Sequence, residues 1–213
     1  GQFKITNRTF EDFQFNYQLI YNYAERTAYN HAYRFNPDGI KTNYTTSLSH
    51  GFAFTHTISQ NMFYKLNLRQ NFFRYTDYKF DDLLDPNYLL AGEPKGSANY
   101  EDGAIIQGVD LGRYKQRTNS YILKGDYTLQ ANRFNMIEAG IEAQYYELLF
   151  GPPGFFISFV DPETQEQKLI PVYEDTQGKR PGLRSYYPKQ FAAYLQDRVE
   201  LGDLVVRAGV RSE

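Results

Sequence analysis

Taken two residues at a time, much of this chain separates into an apolar row and a polar row. From Phe13 the odd positions are Phe13, Phe15, Tyr17, Leu19, Tyr21 and Tyr23, and the even ones Gln14, Asn16, Gln18, Ile20 and Asn22, with Ile20 alone out of phase. A period of two is that of a β-strand, whose side chains point alternately to opposite faces. A strand buried on both faces would not carry Gln, Asn and Gln along one side, so this one separates an apolar medium from a wet one.

The division recurs along the chain. Phe3 and Ile5 alternate with Lys4 and Thr6, and Tyr44, Leu48, Phe52 and Phe54 with Asn43, Ser47, Ser49 and Ala53. Met62, Tyr64, Leu66 and Leu68 oppose Lys65, Asn67, Arg69 and Asn71. Tyr121, Leu123, Tyr127 and Leu129 oppose Ser120, Lys124, Asp126 and Thr128, and Ile137, Ala139 and Ile141 oppose Glu138, Glu142 and Gln144. From Phe191 the apolar set is Phe191, Ala193, Leu195, Val199 and Leu201, against Tyr194, Gln196, Arg198 and Glu200. Gly202-Asp203 then supplies a two-residue turn before Leu204, Val206, Ala208 and Val210. Asp197 falls in the apolar set and is the one charge there.

The connections alternate in length. They are short near Asn7, Ser59, Asn132 and Gly202, and long over about 25–41, 78–116 and 150–189, where Asn36-Pro37-Asp38-Gly39, Asp85-Pro86 and Gly151-Pro152-Pro153-Gly154 mark turns. An up-and-down antiparallel sheet with its long loops at one end satisfies this order. Transmembrane β-barrels have that asymmetry, and the runs supply the ~9–11 tilted residues needed to cross the hydrocarbon layer. The predicted fold is therefore all-β: about eight strands of an antiparallel up-and-down transmembrane barrel, residues 1–213 forming part of a single barrel domain.

Composition narrows the function. Twenty Tyr and seventeen Phe without Trp suit pleated surfaces. A net charge of −2 provides no field for nucleic acid, which is not expected as a partner. The absence of Cys removes thiolate sites and disulfides. No apolar run is long enough for a membrane helix and no signal-peptide pattern is present, while a mean hydropathy of −0.62 is compatible with a barrel that needs only alternate residues apolar.

Candidate chemistry is sparse, and no enzymatic site is expected. His31, His50 and His56 lack metal-binding spacing, and Glu138 with Glu142 reads as polar lining rather than an acid/base pair. No cofactor is expected; Asp81, Asp82 and Asp85 have the oxygen ligands for Ca²⁺ but read first as a solvated acidic loop. The residues expected to face the lumen are Gln14, Asn16, Gln18, Lys65, Asn67, Arg69, Glu138, Glu142, Gln144, Tyr194, Gln196 and Arg198. Those expected to face lipid are Phe13, Phe15, Tyr17, Leu19, Tyr21, Tyr64, Leu66, Leu68, Tyr121, Leu123, Tyr127, Ile137, Ile141, Leu195, Val199, Leu204 and Val206. Tyr88, Tyr100, Phe155 and Phe156 are loop aromatics placed to contact a ligand or to pack on one another.

The hairpin from Tyr187-Pro188 to Arg211, YPKQFAAYLQDRVELGDLVVRAGVR, resembles barrel segments of TonB-dependent outer-membrane receptors, especially the large ones of Bacteroidetes-like bacteria. His56-Thr57-Ile58-Ser59 before Met62-Phe63-Tyr64-Lys65-Leu66 resembles that family's short turn and next strand, and Phe80-Asp81-Asp82 with Asp85-Pro86-Asn87-Tyr88 the start of an extracellular loop. The resemblance implies an importer of the bacterial outer membrane, taking up siderophores, glycans, peptides or similar ligands through a barrel of about 22 strands around a plug. Its implied partners are outer-membrane lipid, the remaining barrel and plug, the TonB complex and a surface lipoprotein. No plug or TonB box is legible, so the chain is expected to be a middle segment. The rival from another class is a secreted β-sandwich that buries the aromatic rows and binds glycan or protein through its loops. A weaker third reading is a small outer-membrane enzyme with carboxylate or Ser/His groups in its loops.

Overall fold

The computed structural model describes residues 1–89, 100–101, 103–163, 167–173 and 182–213. In chain order the strands are β1 (Gln2–Asn7), β2 (Phe13–Arg26), β3 (Asn43–Ser59), β4 (Met62–Asp77), β5 (Tyr100–Glu101), β6 (Ala104–Ile105), β7 (Tyr114–Gln130), β8 (Asn135–Gly151), β9 (Phe155–Val160), β10 (Gln167–Val172), β11 (Arg184–Tyr186), β12 (Lys189–Leu201) and β13 (Leu204–Ser212). The only α-helix among the described residues is α1, Pro86–Leu89.

Eight strands form one sheet in the order β1-β2-β3-β4-β7-β8-β12-β13, and β11 pairs with β8. Each neighbouring pair is antiparallel. The fold is thus an all-β, up-and-down antiparallel sheet, a partial barrel that does not close: β1 and β13 lie at its two edges.

Register explains why the alternating rows stay coherent from strand to strand, because directly opposed residues of an antiparallel pair lie on the same face. One rung runs Tyr17, Phe52, Leu68, Leu123, Ala143, Phe191; the rung beside it on the opposite face runs Gln18, Gly51, Arg69, Ile122, Gln144, Gln190. A one-residue slip of any strand would mix the two. A bulge between Thr57 and Ser59 leaves the pairs before it in register.

Among the described residues nothing covers the apolar face. Phe52 is 54% exposed, Ile141 62%, Phe191 68% and Val210 74%. A β-sandwich would bury these rows under a second sheet, and among the described residues no such sheet is present. The sandwich expectation is therefore not met.

The turns at one end are short. Gly202 takes φ 61°, the left-handed conformation a tight hairpin needs. At the β7–β8 turn the Asn132 carboxamide oxygen accepts from the Phe134 and Asn135 N–H groups at 2.8 and 3.0 Å, the local bonding that suits Asn to turns. At the other end the connections are 27–42, 78–113 and 152–188. These are a few residues shorter than expected at most ends, because the backbone ladder continues past the last clean alternation: Glu25 and Arg26 still pair with Tyr44 and Asn43, and Lys115 with Gly151.

The loops are also more structured than their Pro/Gly content suggests. Phe155–Val160 and Gln167–Val172 form a hairpin, and β11 returns to β8.

Candidate functional site

The polar face carries several clusters of side chains that bond from strand to strand. Tyr194 of β12 lies opposite Gly140 of β8 and reaches over it, donating its phenol hydrogen to Asp126 Oδ1 of β7 at 2.8 Å. Gly140 is what allows this: a Cβ there would stand 2.2 Å from Tyr194 Cε1. Lys124 Nζ lies 3.6 Å from the same Asp126 oxygen, and Lys65 of β4 is Asp126's cross-strand partner.

Other polar groups join on either side. Gln196 donates to Glu138, and along β8 Gln144 donates to Glu142 and Tyr146 to Gln144. Towards the loop end the Ser49 hydroxyl donates to Asn71 Oδ1 at 2.6 Å, and the Asn71 amide donates to Ser120 Oγ at 3.2 Å, a ladder across β3, β4 and β7 with Arg69 at its side. Thr6 donates to Asn16 at 2.8 Å, and Arg198 pairs with Glu200 at 2.5 Å.

All twelve residues expected on the lumen side share this polar face by register, and all seventeen expected on the lipid side share the opposite one. Asp126, Gly140, Asn71 and Ser120 complete the polar set. Their alternation was visible in sequence, but their partners 49 to 68 residues away were not.

The face supplies donors and acceptors rather than a reactive group. Ser47 and Ser49 point to the polar face while His50 and His56 point to the other, so these residues make no Ser/His pair. Glu138 and Glu142 are four residues apart on one strand, ~13 Å by strand rise, beyond the carboxylate spacings of glycoside hydrolysis.

Asp197 shows how the apolar row tolerates a charge. It stays in register, opposite Ile137 and Ala208, and no bulge turns it away. It sits five residues before the Gly202 turn and accepts a hydrogen bond from Asn135, the first residue of β8, at 3.0 Å. The carboxylate thus lies towards the turn end of the sheet, with a polar partner on a diagonal contact.

The long loops pack on one another at the far end through two clusters. Arg113 Nη1 donates to the Phe80 carbonyl at 2.6 Å and to the Tyr88 hydroxyl at 2.8 Å, and Nη2 donates to the Asp81 carbonyl at 2.9 Å. The Tyr88 ring packs on Phe80 and on Phe156 of the third loop, centroids 5.1 and 5.0 Å apart, and Leu83 fills the space beside Gly154. In the second cluster Asn36 donates to the Gly108 carbonyl at 2.7 Å, and Lys41 pairs with Asp77 at 3.1 Å. Tyr33 is buried there, and burial, with Asp110 nearby, pushes its phenol up to about 12. Tyr78 is also raised, by burial and then by Asp81.

This corrects one expectation. Tyr88 is 0% exposed, so it is a core residue of the loop cap and not a surface for a ligand; its two hydrogen bonds with Phe80 and the Arg113 contact satisfy its hydroxyl inside. Phe156 is the ring packed against it. Phe155 lies beside it in β9, half-buried, and the Tyr100 side chain lies outside the described residues. In the acidic loop Asp82 and Asp85 accept from the N–H groups of Leu84 and Asn87, each at 2.9 Å, so both carboxylates serve turns.

A solved structure shares this architecture. Among solved structures, the crystal structure of the outer-membrane transporter YddB from Escherichia coli superposes with a TM-score of 0.67 at 14% sequence identity, covering 98% of this chain and 26% of that one. The fold is similar to part of an outer-membrane transporter. No protein-family model matches the chain, and no curated protein matches it in sequence. The chain thus spans about a quarter of the transporter it resembles.

Proposed function

We propose that this chain is a segment of the β-barrel wall of a TonB-dependent outer-membrane transporter, which imports a ligand such as a siderophore, glycan or peptide. Its apolar face contacts lipid and its polar face lines the lumen against a plug. The observation that carries this reading is the largely apolar, exposed face over seven strands, backed by a polar face, in a sheet similar in fold to part of a transporter. The ten residue steps from Phe13 to Tyr23 reach ~33 Å along the strand, or ~25 Å across the bilayer at a ~40° tilt, the height of a barrel's apolar band.

The edges of that band support the same orientation. Near the short turns lie Tyr64, bonded to His56, and Tyr127; near the long loops lie Tyr23, whose hydroxyl donates to Glu25 at 3.5 Å, and Tyr44, Glu25's cross-strand partner. Tyrosines at two levels fit interfacial girdles and take the place of the missing Trp. The edges of β1 and β13 cannot remain unpaired in hydrocarbon, so further strands of the barrel would cover them. By the family resemblance, the plug, the TonB complex and a surface lipoprotein are the protein partners, with import and not catalysis as the activity.

Because the chain has no Cys, single cysteines at Leu66, Asn67, Leu68 and Arg69 in the full barrel test the reading directly. Labelling by a water-soluble maleimide in outer membranes is expected at Asn67 and Arg69 and not at Leu66 or Leu68. A protein recovered soluble and monomeric without detergent, or labelling without alternation, overturns it.

A further inference from the structure

On the apolar face, the pairs between β4 and β7 run towards the long loops as Leu68–Leu123, Gln70–Tyr121, Phe72–Asn119 and Arg74–Arg117. Two arginines therefore stand directly opposite each other, where like charges are destabilising. Both are exposed. Among the described residues neither has an ion pair or a side-chain hydrogen bond. Their outer neighbours are uncharged, Thr46 beside Arg74 and Leu149 beside Arg117. The nearest carboxylate on this face in that direction, Glu147, is one pair lower and accepts from Asn119 at 3.3 Å. The sheet has no use for this pair of charges, and an anion between them would remove its cost.

Six residues below, the same two strands floor a groove of about 510 Å³. It lies along the rung Phe52, Leu68, Leu123, Ala143, Phe191, where the small Ala143 leaves a depression between larger side chains, and Lys189 stands at its loop-side rim. From Leu68 to Arg74 is ~20 Å along the strand, or ~15 Å across the bilayer at a ~40° tilt, about one leaflet of hydrocarbon. A cationic site one leaflet above an apolar groove matches a phosphate headgroup above an acyl chain. Arg forks bind phosphate with two parallel hydrogen bonds, which makes a pair of them selective for that group.

We propose that Arg74 and Arg117 hold the phosphate of an anionic acyl lipid in the leaflet next to the long loops, with one of its chains in the Phe52–Phe191 groove. This rests on the reading that the apolar face meets the bilayer. The test uses the full barrel protein reconstituted into nanodiscs of phosphatidylcholine with or without lipid A, followed by native mass spectrometry of the retained lipid. Retention of lipid A is expected to fall at least tenfold in the double variant Arg74→Gln/Arg117→Gln and in Ala143→Phe, which fills the groove, and to fall less in Arg74→Lys/Arg117→Lys, which keeps the charge without the fork. Equal retention by the wild type and the Gln variant overturns the proposal, as does full displacement by inorganic phosphate, which would leave the groove without a role. Folding is read independently from heat-modifiable gel migration. A wild-type protein that enters neither kind of nanodisc overturns the membrane reading itself, and this site with it.

Discussion

Tyr194 reaches across Gly140 to donate to Asp126, joining β12 to β7 over the strand between them. The contact exists because β8 has no side chain at that point. Gly140→Ala would push the ring aside and separate phenol from carboxylate, a cost of ~1–3 kcal/mol for an overpacked site. Thermal unfolding followed by the gel shift of the barrel is expected to show the loss, and Gly140→Ala in a Tyr194→Ala background should show little of it.

The two faces predict opposite responses to the same substitution. Leu123→Arg places a charge within the apolar band, where ~2–4 kcal/mol is expected at mid-depth. Asn67→Arg adds the same side chain to the polar face and should be nearly neutral. Equilibrium refolding into lipid vesicles distinguishes them, and equal costs would contradict the assignment of faces.

Arg113 holds the second loop through three acceptors and lies over the Tyr78 and Tyr88 rings at 4.7 and 5.4 Å. Arg113→Ala leaves those acceptors unpaired and is expected to cost the loop cap ~1–3 kcal/mol. Limited proteolysis in intact outer membranes should show cleavage within 78–113 while the strands stay protected. Arg113→Lys should not restore protection, since an ammonium lacks the planar fork.

Tyr33 gives the cap a pH limit. Its phenol is raised from 10.0 to about 12 by burial and the nearby Asp110. An opened loop therefore loses the proton at lower pH than the packed one, so the stability of this contact is intact below pH 10 and declines as pH rises from about 10 to 12. A difference titration of tyrosinate absorbance between wild type and Tyr33→Phe is expected to isolate one group titrating near 12. Exposure of the first loop to protease should increase over the same window in the wild type and less in Tyr33→Phe.

The sequence by itself determined which residues share a face and which connections are long, because both follow from local geometry: successive side chains of a strand point to opposite sides, and Pro, Gly and Asn interrupt it. The rows from Phe13 to Tyr23 and from Phe191 to Leu201 were legible for this reason, and so was the anomaly of Asp197. Only the tertiary structure decided what each row meets across the sheet. That Asp197 finds Asn135, that Gly140 clears a path for Tyr194, that Arg74 faces Arg117 and that Tyr88 is sealed against Phe156 all depend on pairings over tens of residues. Periodicity records a residue's side of the sheet and not its partner, since the partner is set by the register of another strand or by the packing of another loop.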